Sequence, residues 1–381
     1  MRIPVALYPF SAQLLPAVKA FEQLQDKYTL QRLVSHPGFG LTGQDAGYSR
    51  NHPHVGIIVT DELDLADPGW DLLLLIQTLG AEAENSSKLE TAAERALQLG
   101  KSVRYLADGS TEVPDGISAL AEVYSGMVIH NGSMASHRSP EASNDAYKDV
   151  SVPIVLVGGL VEEADTLEVV LRLTALLRAD GFQVTTITNN PVGQLFGLHT
   201  LSHITNRKDL AEARKISELN QFVRKLEAIE RPQVVLIEAP DAVLRYNDFA
   251  PNGFGIYTYM LCQAVRPDHF VCCVPCEMAV GPFLEAISSD FAHRLGMPVH
   301  ATHVSNLIVH AMDIVQTRSI SYTHAELAAV REQIDVYGQG SPIPLFDVVS
   351  NGVEGLYTHL NSIMRLERPE KGGDLLCFSA K

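Results

Sequence analysis

The segment Gly158-Gly159-Leu160-Val161-Glu162-Glu163-Ala164-Asp165-Thr166 has the spacing of a phosphate-binding loop and the wrong charge for one. In the pattern G-x-x-x-x-G-K-[ST], backbone N–H groups cradle phosphates, the lysine neutralises them and the hydroxyl meets Mg²⁺. Here Gly159 takes the first glycine, Ala164 the second, Asp165 the lysine and Thr166 the hydroxyl, while Glu162 and Glu163 add further carboxylates. A lysine ~4 Å from a phosphate attracts it by about 4 kcal/mol at an effective dielectric near 20. An aspartate reverses that sign, and a helix N-terminus at an exposed end returns about 1 kcal/mol at most. ATP in its usual mode is therefore not expected, and a cationic or neutral ligand suits the loop better. The same residues also have a structural reading. Asp165 followed by Glu168 has the form of a capping box, with Asp165 capping the helix and Glu168 reaching back.

In open α/β sheets ligands bind outside the carboxyl ends of the strands. Hydropathy places Gly158 and Gly159, Asn189 and Asn190, Glu238 and Asp241, Cys276 and Glu277, and His303 and Asn306 at such ends. Gly158, Gly159, Asp165, Thr166, Asn189 and Asn190 are the candidate ligand-binding set. Glu238, Cys276 and His303 are the candidate catalytic set. Glu238 closes an apolar strand where phosphate-loop proteins carry an acidic residue that manages Mg²⁺, and it reads equally well as a turn or helix-capping carboxylate.

Cys273-x-x-Cys276, with His300-x-x-His303 on the next strand, has metal-ligand or redox spacing. Strand alternation opposes a shared site, because Cys272 and Cys273 must point to opposite faces. No metal site is expected. Cys276, just past the strand end, is the cysteine expected to be exposed. His199, His203, His300, His303 and His310 form no H-E-x-x-H pattern. The loop His36-Pro37-Gly38-Phe39-Gly40-Leu41-Thr42-Gly43 is no G-x-G-x-x-G fingerprint, so no dinucleotide site follows, and it reads as a binding loop or a flexible connection.

These residues need a scaffold of strands and helices. Strand expectations are Ile3–Tyr8, Leu30–Ser35, Val55–Thr60, Leu72–Ile76 and Ser102–Leu106, with helices over Ala12–Leu24 and Ser86–Leu99. Near-continuous apolar strands indicate a parallel sheet covered on both faces. Met134–Val152 is polar, aperiodic and reads as a linker. A second unit follows: strands Ile154–Val157, Gln183–Thr188, Val234–Glu238, Phe270–Val274 and Val299–Val304, with helices Thr166–Ala179, Asp209–Ile229, Phe254–Val265, Gly281–Leu295, His324–Val336 and Gly352–Arg365. The predicted fold is α/β: a Rossmann-like domain over residues 1–133, a linker over 134–152, and a degenerate phosphate-loop α/β domain over 153–381 with a helical C-terminal tail.

The chain has 381 residues and a formal net charge of −16, which disfavours nucleic acid and anionic membrane surfaces as partners. Met1-Arg2-Ile3-Pro4 runs directly into a strand without signal-peptide features, and five cysteines fit a reducing compartment, so a cytoplasmic location is expected.

Beyond the loop, Thr185-Thr186-Ile187-Thr188-Asn189-Asn190, Leu195-Phe196-Gly197, Val235-Leu236-Ile237-Glu238-Ala239-Pro240 and Asn252-Gly253-Phe254-Gly255-Ile256 follow in an order that resembles the clostridial-type peptide maturation proteins of ribosomally made natural-product clusters. The order is more distantly similar to dethiobiotin-synthetase-like P-loop proteins. The resemblance covers nearly the whole chain and departs from the P-loop pattern at Ala164-Asp165. It implies a role in peptide maturation. The expected function is an accessory protein that holds a precursor peptide or a maturation enzyme in an interdomain cleft without ordinary ATP hydrolysis. The alternative is a P-loop-fold ligase or acyltransferase acting on a small molecule or peptide. No cofactor is expected; a nucleotide with Mg²⁺ is admitted but disfavoured, and a homodimer is admitted.

Overall fold

The structure is a computed structural model and describes residues 2–77, 83–107, 113–131 and 147–364. The N-terminal unit runs β1 (Ile3–Tyr8), α1 (Leu15–Leu24), β2 (Tyr28–Val34), β3 (Val59–Thr60), β4 (Leu72–Ile76), α2 (Ala83–Gln98), β5 (Ser102–Ala107), α3 (Asp115–Val123) and β6 (Met127–Asn131). Its strands are all parallel, in the order β3-β2-β1-β4-β5-β6. This is the doubly wound order of a Rossmann-like sheet. All five residues of β4 are buried. A strand covered by helices on both faces must be apolar at every position, which is why the Leu72–Ile76 run was legible.

The second unit contains β7 (Ile154–Gly159), α4 (Thr166–Ala179), β8 (Val184–Thr188), β9 (His199–Thr200), α5 (Ser202–Thr205), α6 (Glu212–Glu230), β10 (Val234–Glu238), α7 (Ile256–Val265), β11 (His269–Pro275) and α8 (Gly281–Arg294). It continues through β12 (Ala301–Ser305), β13 (Leu307–Val309), α9 (Ala311–Thr317), β14 (Tyr322–His324), α10 (Leu327–Tyr337), β15 (Leu345–Phe346) and α11 (Val353–Met364). Its parallel sheet has the order β15-β12-β11-β7-β10-β8-β9, and β13 and β14, with α9 between them, form a separate two-stranded antiparallel sheet. The fold is therefore α/β, a Rossmann-like sheet followed by a P-loop-like one with a degenerate loop. No helix among the described residues is long and apolar enough to cross a membrane.

Several expected boundaries move. The Val55–Thr60 run yields only the two-residue β3, because the Asp45 carboxylate takes the N–H groups of Val55 and Gly56 at 2.9 and 2.7 Å. The helix expected from His324 starts at Leu327, since His324 ends β14. The element pair α3 and β6 was not anticipated. Of the expected linker, residues 134–146 lie outside the described residues. In the remainder, Ser151 is tied to Glu227 and the Tyr147 hydroxyl donates to Gln263 O at 2.7 Å.

The two units share a seam that is apolar at its centre. One apolar cluster joins Leu7, Phe10, Leu15 and Phe21 of the first unit to Leu167, Leu171, Leu195 and Phe196 of the second. Helix α1 packs on α4, and Phe21 meets Phe196 edge to face at 5.8 Å. Each such fully buried large side chain contributes about 1.5–3 kcal/mol relative to exposure. The segment after β2 also crosses this seam. Asn51 Nδ2 donates to His324 O at 2.7 Å, and Asn306 Nδ2 donates to Arg50 O at 2.8 Å. The glycine-rich stretch from His36 thus leads into a docked connection.

Candidate functional site

The turn from β7 into α4 is built by close approach. A Cβ on Gly159 would stand 2.5 Å from Val161 O, and one on Gly158 would stand 2.5 Å from Val243 Cγ1. Gly159 therefore shapes the loop, whereas Gly158 packs behind it and does not line the cleft.

Asp165 corrects the sequence reading twice. It sits at φ 61°, in the left-handed region, and makes no side-chain cap bond to α4. Glu168 does not reach back either; its Oε1 accepts from Lys19 at 2.7 Å and Arg172 at 2.5 Å. The capping box fails because both carboxylates are claimed by partners from elsewhere in the fold. The Asp165 side chain is also fully buried, facing inward. Arg50 Nη2 pairs with its Oδ1 at 3.1 Å, and the Ser305 hydroxyl donates to its Oδ2 at 2.5 Å. His303 Nε2 lies 3.5 Å away and His52 Nε2 4.0 Å away. Burial alone would raise the Asp165 pKa, but Arg50, aided by His303 and His52, holds the carboxyl well below the usual range. The carboxylate at the lysine position is thus neutralised internally. The repulsion expected of it falls instead mainly to Glu162, since Arg50 also reaches the Glu163 carboxylate at 3.7 Å.

Those two carboxylates open onto a cleft of about 340 Å³, lined also by Gly159, Thr166, Asn189, Asn190, Glu238 and Asp241. Burial, then Glu163 and Asp241, raise the pKa of Glu162. Gln13 from the other unit donates to Glu163 at 2.8 Å. At the floor, Glu238 accepts from the Thr166 hydroxyl at 2.9 Å, from the Thr188 hydroxyl, and from Asn189 N at 3.3 Å. Burial raises its pKa against these three donors. Asn189 Nδ2 donates to Pro240 O at 3.0 Å, and Asn190 caps the following turn by accepting from Val192 N at 3.0 Å. Asp241 caps α7, accepting from Thr258 N at 2.8 Å and from its hydroxyl at 2.5 Å.

Topology thus gathers most of the expected set and leaves some out. His303 is fully buried behind Asp165, and Cys276 and Asn306 lie away from the cleft. Cys276 was expected to be exposed. It is 7% exposed, and burial, then Glu277 and Asp347, push its thiol up to about 11. Cys272 and Cys273 do divide between the two faces of the sheet, each joining a different apolar cluster. With less than a hundredth of the thiolate of an ordinary thiol near neutral pH, Cys276 should resist alkylation in the folded chain. Peptide mapping after iodoacetamide should find its peptide modified at least tenfold more slowly than in urea. Equal rates would refute its burial. Arg50 and His52, which sequence reasoning missed, sit where apolar periodicity has nothing to read. The one available signal was their place in a long loop between strands.

No protein-family model and no curated protein sequence matches the chain. Among solved structures, a DUF1611 family protein from Anabaena variabilis superposes with a TM-score of 0.63 at 14% identity, covering 95% of this chain and 100% of that one. The two share a fold. The hydrogenase maturation factor HypB of Archaeoglobus fulgidus overlaps only partly, with a TM-score of 0.30 at 12% identity over 56% of this chain and 90% of that one. A GTPase from Pyrococcus abyssi does so with a TM-score of 0.31 at 14% identity over 56% of this chain and 97% of that one.

Proposed function

We propose that the chain is a binding protein whose degenerate phosphate loop holds a basic group of a peptide, without nucleotide hydrolysis, in the peptide maturation role that the sequence resemblance implies. One observation carries this reading. Among the described residues lining the cleft the only cation is Arg50, which is shared between buried Asp165 at 3.1 Å and Glu163 at 3.7 Å. Glu162, Glu238 and Asp241 are therefore carboxylates facing no cation of the cleft, and the cavity carries an acidic excess. Field lines focused in a cleft of one sign favour the opposite charge in the ligand.

Calorimetry with a lysine- and arginine-bearing peptide, an acidic peptide, and ATP with and without Mg²⁺ tests this. Only the basic peptide should bind, weakening at least tenfold in Glu162→Gln/Glu163→Gln and falling with salt. Micromolar ATP binding abolished by Thr166→Ala would overturn it.

The Thr166–Glu238 pair favours a second reading, the P-loop-fold ligase or acyltransferase. That geometry fits Mg²⁺, which is held by one or two protein oxygens when substrate phosphates supply the rest. Binding of an acyl-CoA or a Mg²⁺-nucleotide, lost in Thr166→Ala, would favour this reading.

A further inference from the structure

The carboxyl edge of the first sheet holds a second cavity, which shares no lining residue with the cleft above. In a doubly wound sheet with β1 between β2 and β4, the chain leaves β1 and β4 toward opposite faces, and ligands enter beside that divergence. A cavity of about 430 Å³ lies there, on the α2 side of β1 and β2. Its size is that of a small-molecule site. Tyr8 closes β1 and His36 follows β2. Their rings meet edge to face at 5.2 Å, and the Tyr8 hydroxyl lies 3.2 Å from His36 Nδ1. Phe39, 54% exposed, continues the row at 5.6 Å from His36.

Opposite the rings stands one face of α2. Lys88, Thr91 and Arg95, spaced three and then four residues apart, all line the cavity. Asp61 is the facing carboxylate. Two cations against one carboxylate is a local positive excess in a chain whose net charge is −16. The field reaches the aromatic row, since burial and then Lys88 lower the His36 pKa, which keeps the ring neutral. The N-terminal turn of α1 offers no pyrophosphate cradle, because β1 is followed by Pro9-Phe10-Ser11 and not by a glycine fingerprint. The anion contacts must come from the side chains of α2, which suits a single phosphate better than a dinucleotide.

We propose that this edge binds a nucleoside monophosphate, its base against the Tyr8, His36 and Phe39 rings and its phosphate at Lys88 and Arg95, with Asp61 accepting a ribose hydroxyl. This site is independent of the acidic cleft. Calorimetry of the full chain with AMP, adenosine and inorganic phosphate tests it. AMP should bind, with adenosine and phosphate each at least tenfold weaker. Lys88→Ala/Arg95→Ala should weaken AMP at least tenfold and leave adenosine unchanged. Phe39→Ala should weaken both nucleoside ligands. All three side chains are exposed, so these variants keep the fold, which circular dichroism verifies. Glu238→Gln, in the acidic cleft, should leave AMP binding intact. No AMP binding, an unchanged affinity in the double variant, phosphate matching AMP, or loss of AMP binding in Glu238→Gln would each overturn the proposal.

Discussion

Replacing Asp165 with alanine should destabilise the chain by about 3–5 kcal/mol, the usual cost of removing one partner of a buried ion pair. The substitution strands Arg50, whose side chain is 4% exposed, and leaves the Ser305 hydroxyl without its acceptor. Arg50 would keep Glu163, its carbonyl at 2.7 Å and its carboxylate at 3.7 Å, but that longer, partly exposed pair offsets only part of the lost partner. Urea unfolding followed by circular dichroism measures the loss, and a change below about 1 kcal/mol would refute the buried pair. The apolar double variant Arg50→Met/Asp165→Leu should recover much of it, because it leaves no orphaned charge. The same geometry forecasts that Ala164→Gly/Asp165→Lys will not restore a phosphate loop. A lysine at 165 would face Arg50 in the interior, so this variant should unfold earlier than the wild type and gain no ATP affinity.

The second large effect is a loss of stability on acidification that passes through His52. Its side chain is fully buried, and burial, reinforced by Lys19, Arg50 and His324, lowers its pKa to about 3 despite the pull of Asp165. In the unfolded chain it titrates near 6.5. Between those values the unfolded state binds the extra proton, so stability must fall as pH drops from about 6.5 toward 3. From pH 7.5 to 5 the loss assigned to His52 is about 2 kcal/mol. His324, lowered to about 4 by burial and Arg50, adds a smaller, solvent-screened loss of the same sign. Glu238, Glu162 and Asp241, whose pKa values burial raises, act in the opposite sense near the acid end. The difference between wild type and His52→Asn isolates the histidine. If the two stability–pH profiles run parallel between pH 7.5 and 5, His52 is not buried neutral.

The positions that sequence located well share a property. Ile154–Gly159, Leu72–Ile76, Val234–Glu238 and His269–Pro275 are parallel strands covered on both faces, so their central positions form continuous apolar runs that announce themselves, with polar residues such as Glu238 and His269 only at the ends. Given those strands, the convergence of Gly159, Thr166, Asn189, Asn190, Glu238 and Asp241 follows from parallel topology, because loops leaving one edge of a sheet must meet. Cys276 stood at the same edge in sequence, yet its turn folds inward and buries the thiol.

The direction of Asp165 was not legible. Local spacing placed it at the lysine position, and local rules made it a helix cap or a repulsive charge. Its real partners are Arg50, some hundred residues earlier, and Ser305 and His303, from a strand two places across the sheet. Nothing within a turn of the helix encodes those contacts. The sequence by itself determined the long apolar strands, the parallel sheets they form and the edge where the site would form, since hydrophobic period and chain direction are local properties. Short strands such as β9, β13, β14 and β15 carry too few residues to show a period. Only the tertiary structure decided which carboxylates face the cleft and which are consumed in the seam, because a charge's environment is set by whatever distant residue folds against it.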